Sequence, residues 1–255
     1  MKLRGYLTVG CAGLVLSGAE VIQRLIVAPT ARLLPSSRLR VLTAWQQLMA
    51  WAMLTVVRLV GGARIRSIPR LPGEPGVLIL MNHQSLMDIP IVVASIEEGH
   101  PRIVTRARYA RGKPLISHML RLYQYPLVEP GATTRARLEK LAEEAAGSPV
   151  PVVLYPEGTR TRDGSLGRWR RGGLDAILAA REWSVYLLVV DGFWQAARLA
   201  DFISGVGRMD GRVERLGPFP SPPAGAEDDT REDFIAEMRT RMEETLASMR
   251  GDRPE

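Results

Sequence analysis

The chain has 255 residues, 46% of them apolar and 24% charged, with a net charge of +7. That length supports one sizeable core, and the single cysteine, Cys11, excludes an intramolecular disulfide and suits a reducing compartment. One cysteine and three scattered histidines show no spacing for a metal site.

The basic excess is N-terminal: residues 1–72 carry ten Lys/Arg against one acid, Glu20, and residues 73–255 carry 24 basic against 26 acidic residues. Tyr6 to Ile22 is apolar and rich in small residues, with Lys2 and Arg4 before it and Arg24 after. Its seventeen residues, interrupted by Glu20, stand at the short limit for a spanning helix. Ser17-Gly18-Ala19 could pass as a signal-peptide cleavage site, but an Arg-rich helix follows instead of a mature start. A lipoprotein reading of Cys11 meets Thr8 where an aliphatic residue is expected. A second segment, Trp45 to Val60, is amphipathic to apolar. Two helices in or on one leaflet, with Arg side chains at anionic head groups, account for both charge and apolarity. Two core helices of a soluble domain also fit the periodicity.

From Gly76 the chain alternates. Gly76–Met81 (GVLILM) has the length and composition of a fully buried strand. Ile89–Ile96 starts as a helix with Pro90 at a tolerated early position. Arg102–Thr105 reads as a short strand, Pro114–Leu122 as a helix and Tyr125–Val128 as a strand. A helix from Thr133 or Thr134 to Ala146 ends at Gly147. Then come a strand over Val150–Tyr155, a helix over Gly173–Arg181 and a strand over Val185–Val190. The pattern predicts an α/β fold, a mainly parallel sheet covered by helices and preceded by the N-terminal helical segment. Gly217–Ala226 reads as a Pro-rich connection, and Thr230-Arg-Glu-Asp233 as a capping box opening a last helix. Its apolar stripe, Ile235, Met238, Met242, Leu246 and Met249, is expected to pack on the domain. The expected units are residues 1–62, 63–216 and 217–255.

The first buried strand runs straight into Asn82-His83-Gln84-Ser85-Leu86-Met87-Asp88. Carboxyl ends of strands are where sites collect in open α/β sheets. A neutral imidazole takes a proton from a hydroxyl most effectively when a carboxylate holds its other nitrogen and stabilises the imidazolium that forms. His83 and Asp88 are too far apart for one helical face, but a loop-to-helix corner can join them. Ser85 lacks the G-x-S-x-G elbow of a serine nucleophile. The plain alternative is a polar His at a strand end and an Asp capping a helix. A second buried run, 150–155, ends in Pro156-Glu157-Gly158-Thr159-Arg160.

Together the N-H-x4-D and Tyr-Pro-Glu-Gly-Thr-Arg stretches resemble the first and third motifs of the glycerolipid acyltransferase family, best known for 1-acyl-sn-glycerol-3-phosphate acyltransferases. They stand in the family's order, and the resemblance covers roughly residues 60 to 200. It implies that His83 is the general base for the acceptor hydroxyl and that Asp88 orients it. It implies that Glu157 and Arg160 contact the acceptor's glycerol and phosphate, with Gly158 and Thr159 shaping the turn. The implied reaction moves a fatty acyl group from acyl-CoA or acyl carrier protein to a lysolipid hydroxyl, most of all 1-acylglycerol-3-phosphate. The implied place is the cytoplasmic face of the cell membrane, with membrane lipid as partner and no cofactor or metal. Two departures touch acceptor recognition. The second-motif region, Tyr123 to Pro130, lacks the family's Arg and carries Glu129, so Arg135 or Arg137 would have to turn inward. The fourth-motif region, Tyr186 to Asp191, lacks the usual Pro.

Arginines crowd both motifs: Arg102, Arg106, Arg108, Arg111 and Arg121, with Lys113, on one side, and Arg160, Arg162, Arg168, Arg170 and Arg171 on the other. Guanidinium forks suit phosphate. No nucleic-acid reading motif accompanies them, so nucleic acid is not expected as a partner. The alternatives are a lysolipid acceptor without a phosphomonoester, such as a lyso-aminolipid; a thioesterase-like hydrolase; and a catalytically silent lipid binder.

Overall fold

The computed structural model of the chain describes residues 2–113, 116–128 and 134–251. Helix α1 (Lys2–Ile22) passes through a five-residue π turn (Gln23–Val27) into α2 (Ala28–Leu33). Pro29, at the start of α2, has no N–H to give the turn before it, and the π turn relaxes the ladder there. The continuous helix, Lys2–Leu33, is therefore nearly twice the expected apolar segment and long and apolar enough to cross a membrane. Glu20, which seemed to interrupt it, pairs with Arg24 one turn on, Nε to Oε1 2.6 Å. Helix α3 (Arg38–Leu59) buries Leu42, Trp45, Ala50, Leu54 and Val57. The second N-terminal helix thus contributes directly to the core.

Strands β1 (Arg64–Ile65) and β2 (Val77–Met81) lead to α4 (Asp88–Ser95), β3 (Arg102–Ile103), β4 (Thr105–Arg106), α5 (Ile116–Leu122) and β5 (Leu127–Val128). The chain continues as α6 (Arg135–Ala146), β6 (Val152–Leu154), α7 (Arg171–Ala180), β7 (Ser184–Asp191), α8 (Leu199–Gly205), β8 (Asp210–Pro220) and α9 (Asp228–Gly251). The six-stranded sheet has the order β1-β8-β7-β2-β6-β3, and β4 and β5 pair separately. The pairs β2–β6, β2–β7, β3–β6 and β1–β8 are parallel; among the described residues only β7–β8 is antiparallel. The expected mainly parallel sheet covered by helices is what forms.

Burial on both faces makes β2 and β7 read as unbroken apolar runs. Val77, Ile79 and Met81, with Tyr186, Leu188 and Val190, face α3 and α4. Leu78 and Leu80, with Val185, Leu187 and Val189, face α6, α7 and α9. The stripe of α9 packs into this second layer, although the helix begins at Asp228, before the expected cap at Thr230.

The connection expected over 217–226 is partly strand. Residues 217–220 end β8, with Val185 opposite Phe219 and Leu187 opposite Leu216. That shift is a bulge at Gly217–Pro218. Gly217 has φ +100, and a Cβ there would stand 2.7 Å from the Val185 carbonyl oxygen. Helix α8 and most of β8 had no counterpart in the sequence reading. The Arg102–Thr105 strand divides into β3 and β4, and residues 125–128 reduce to β5. Pro114, Glu129, Pro130 and Thr133 lie outside the described residues.

Candidate active site

β2, β6 and β7 run parallel, so their carboxyl ends meet at one edge of the sheet. Asn82, the first residue past β2, clamps this edge. Its Nδ2 donates to the Val190 carbonyl and its Oδ1 accepts the Val190 N–H, both at 2.8 Å. The side chain thereby continues the sheet pairing where the backbone of β2 turns away.

His83 follows. Its Nδ1 stands 2.7 Å from Asp88 Oδ2, with 17% of the His83 side chain exposed and none of Asp88. The same Oδ2 accepts the N–H groups of Gln84 at 2.7 Å and Ser85 at 2.8 Å, and Ser85 Oγ donates to Oδ1 at 3.3 Å. A buried carboxylate needs such donors. They are the backbone of the corner that brings positions 83 and 88 together, as expected from their spacing. A carboxylate on Nδ1 fixes that nitrogen as the proton carrier and leaves Nε2 as the free base. Ser85 has no partner suited to a nucleophile; its Oγ also accepts the Met87 N–H at 2.9 Å.

The Tyr155 ring stacks on His83, centroids 4.3 Å apart and 28° between planes. Its buried hydroxyl has no hydrogen-bond partner among the described residues. Burial first, then the Asp88 charge, pushes this phenol well above its ordinary value, against the opposing pull of Arg160.

Glu157 is turned toward backbone. It is 4% exposed. Oε1 accepts the His83 N–H at 2.8 Å and Oε2 accepts the Gly167 N–H at 2.7 Å, so both carboxylate oxygens are engaged by backbone. Burial pushes its carboxyl up, and these two N–H groups pull it partly back. The Thr161 N–H donates to the His83 carbonyl at 2.9 Å, a second tie between the two motifs.

Gly158 has φ +64, and a Cβ there would lie 3.1 Å from Arg170 Cδ and Nε. Only glycine fits that turn comfortably. Thr159 beside it is exposed. Arg160 is half-buried and donates to the Ala197 carbonyl ahead of α8.

The arginine clusters divide. Arg106 donates to the Gly158 carbonyl. Burial first, then the charges of Arg108 and Arg170, hold its guanidinium below its ordinary value. Arg106 and Arg170 meet at the Gly158 turn, while Arg108 lies on the Tyr109 ring. Three others are committed elsewhere: Arg102 to the Tyr123 carbonyl and Gln124, Arg121 to the Ala110 carbonyl, Arg171 to Glu232. Arg135 does not turn inward. It is 94% exposed and pairs with Glu139 along α6. Arg137 is also exposed, and Glu129 lies outside the described residues.

A polar knot supports the corner from behind. Gln84 Oε1 accepts the Phe193 N–H at 3.1 Å, and its Nε2 reaches the Gly164 carbonyl and Asp191 at 3.4 Å. Arg250, in the last turn of α9, donates to the same Gly164 carbonyl and to Asp191. Asn82, Gln84 and Tyr155 stood within the two motif stretches without a role of their own, and Gly167, Asp191 and Arg250 had no functional signal in the sequence.

A family model described as Acyltransferase matches residues 62–190, about half of the chain. No curated protein gives a significant match. Among solved structures, the crystal structure of the 1-acyl-sn-glycerophosphate (LPA) acyltransferase PlsC from Thermotoga maritima is similar, with a TM-score of 0.50 and 14% sequence identity. The match covers 92% of this chain and 100% of that one. At that identity the likeness carries the fold alone.

Proposed function

This chain belongs to the acyltransferase family, and we propose that it acylates a lysolipid hydroxyl, with 1-acylglycerol-3-phosphate as acceptor and acyl-CoA or acyl carrier protein as donor. The observation that carries the reading is the His83 Nδ1–Asp88 Oδ2 contact of 2.7 Å at the carboxyl end of β2. In this mechanism His83 Nε2 removes the proton from the acceptor hydroxyl as its oxygen attacks the thioester carbonyl. Asp88 stabilises the imidazolium that forms. The tetrahedral intermediate collapses with cleavage of the C–S bond. The departing thiolate takes the proton from His83, leaving an ester and a free thiol. No serine or cysteine nucleophile is involved, and no cofactor is required.

Arg106, Arg108 and Arg170 are the groups we assign to the acceptor's phosphate, in place of a second-motif Arg. Arg106 and Arg170 meet at the Gly158 turn, and the Arg108 charge is felt by Arg106. Glu157 is assigned a positioning role, holding the backbone of His83 against the third motif. Thr159 stays at the exposed rim, and Arg160 lies near Tyr155 with donors left for substrate.

The N-terminal helices present Leu3, Tyr6, Leu7, Leu14, Leu25, Ile26 and Leu33 outward. An exposed apolar surface of this extent, with Lys2, Arg24 and Arg32 in the same helices, supports a resting place on an anionic membrane surface. A donor made in the cytoplasm places that surface on the cytoplasmic leaflet.

Purified full-length protein, incubated with labelled acyl-CoA or acyl carrier protein and a panel of lysolipids, tests the proposal. Ester formation on lysophosphatidate is expected. Free fatty acid as the sole product, with or without acceptor, would replace the transferase with a hydrolase.

A further inference from the structure

Outside this site, a second group of cations converges at the β1 edge of the sheet. A cavity of about 410 Å³ is lined by Arg58, Ala63, Arg64, Ile65, Arg66 and Asp210. Arg64 opens β1 and Arg66 directly follows it, two apart along backbone that stays paired with β8, which puts both on one side of it. Their N–H groups are fixed by the Met209 and Gly211 carbonyls at 2.8 and 2.9 Å. Arg58 comes from the last turn of α3, with Nη2 donating to the Ile65 carbonyl at 3.2 Å. Arg4 is the fourth cation. A Cβ on Gly62, which has φ +71, would stand 2.7 Å from Arg4 Nη1, so this guanidinium lies on the turn leading into the cavity.

Asp210 is the one acid in the lining, and it meets Arg66 at 3.3 Å. Three guanidinium groups in the lining against one carboxylate, with Arg4 on the adjacent Gly62 turn, leave a concave, positive site at a strand-helix junction. Adjacent like charges repel, and an anion between them relieves that repulsion. Planar forks from several elements are the geometry that phosphate recognition uses. The antiparallel β7–β8 pairing and the parallel β1–β8 register put Arg64 beside the strand end that carries Asp191. The cavity therefore opens at the catalytic edge of the sheet, apart from the Gly158 turn.

We propose that this cavity binds a phosphate or diphosphate group. Two molecules bring that chemistry to this edge: the nucleotide half of a coenzyme A donor, and an anionic phospholipid head group. The nucleotide source rests on the acyltransferase reading; the lipid source does not.

The experiment compares wild type with Arg64→Ala/Arg66→Ala in the full-length protein, both side chains being exposed and their fold checked by circular dichroism. Adenosine 3′,5′-bisphosphate is titrated calorimetrically, and binding to phosphatidylglycerol-containing vesicles is measured relative to phosphatidylcholine vesicles. A charge-assisted contact is worth roughly tenfold in affinity. The nucleotide source requires at least that loss for the bisphosphate, with the vesicle preference unchanged. The lipid source requires the phosphatidylglycerol preference to fall while bisphosphate binding does not depend on the pair. Both readouts proceed without turnover, so they stand or fall separately from the acyltransferase reading. Wild type binding neither probe, or the double variant binding both as wild type does, overturns the proposal.

Discussion

Glu157 Oε1 accepts the backbone N–H of His83 at 2.8 Å, while the His83 ring turns to Asp88. Residues 74 positions apart are thus joined by one hydrogen bond. The third motif holds the first in place and does not simply stand beside it.

Glu157→Gln tests this division of labour. An amide offers only one acceptor oxygen, so one of the two backbone N–H groups loses its partner, a cost of about 1–3 kcal/mol. Thermal unfolding should shift down by that amount, and kcat should fall with little change in the acceptor KM. A rise confined to KM would return Glu157 to the acceptor. Because burial raises the Glu157 carboxyl above its ordinary value, its contribution to stability is lost as pH rises through that elevated value. The stability gap between wild type and Glu157→Gln should therefore narrow across the pH range just above the ordinary carboxylate value.

Arg106→Ala should raise the KM for lysophosphatidate about tenfold, the worth of one charged hydrogen bond to phosphate. A zwitterionic lysolipid should be less affected. Arg135→Ala should change neither, since its exposed i,i+4 pair with Glu139 is worth about 0.3–0.5 kcal/mol at most. Steady-state kinetics with both acceptors separates the two arginines.

Tyr155→Phe keeps the ring on His83 and removes a buried hydroxyl that has no partner among the described residues. An unsatisfied buried polar group costs about 1–3 kcal/mol. The variant should therefore be at least as stable as wild type by chemical denaturation, with turnover retained. A large loss of activity would mean that the hydroxyl donates to the reacting oxygen.

Removing residues 1–60 would take Leu42, Leu54 and Val57 out of the core and so cannot test membrane binding alone. Leu14→Glu/Leu25→Glu does, because the two leucines are 76% and 71% exposed. Vesicle co-sedimentation should drop sharply with the circular dichroism spectrum unchanged. Undiminished binding would place the contact elsewhere.

The elements legible in the sequence were those whose environment is uniform. β2 and β7 are buried on both faces, so apolar length alone marks them. β8 was missed because Arg212, Glu214 and Arg215 interrupt its apolar positions and two prolines close it; its partner β7 decides that it is strand. At the site, His83 and Asp88 were legible because side-chain chemistry identifies them. The partners of Glu157 were not, since a backbone N–H has no letter of its own. Arg106 was visible only as one arginine among many, and the fold alone sets it apart from Arg102.

The central claim is that His83, oriented by Asp88, is the base for acyl transfer. The most direct measurement is the rate of labelled acyl transfer from acyl-CoA to lysophosphatidate by His83→Ala, with folding verified by circular dichroism. Loss of a general base is worth about 10²–10⁴ in rate, so turnover should fall by at least the lower figure in a folded protein. A folded His83→Ala variant with near wild-type turnover would contradict the account.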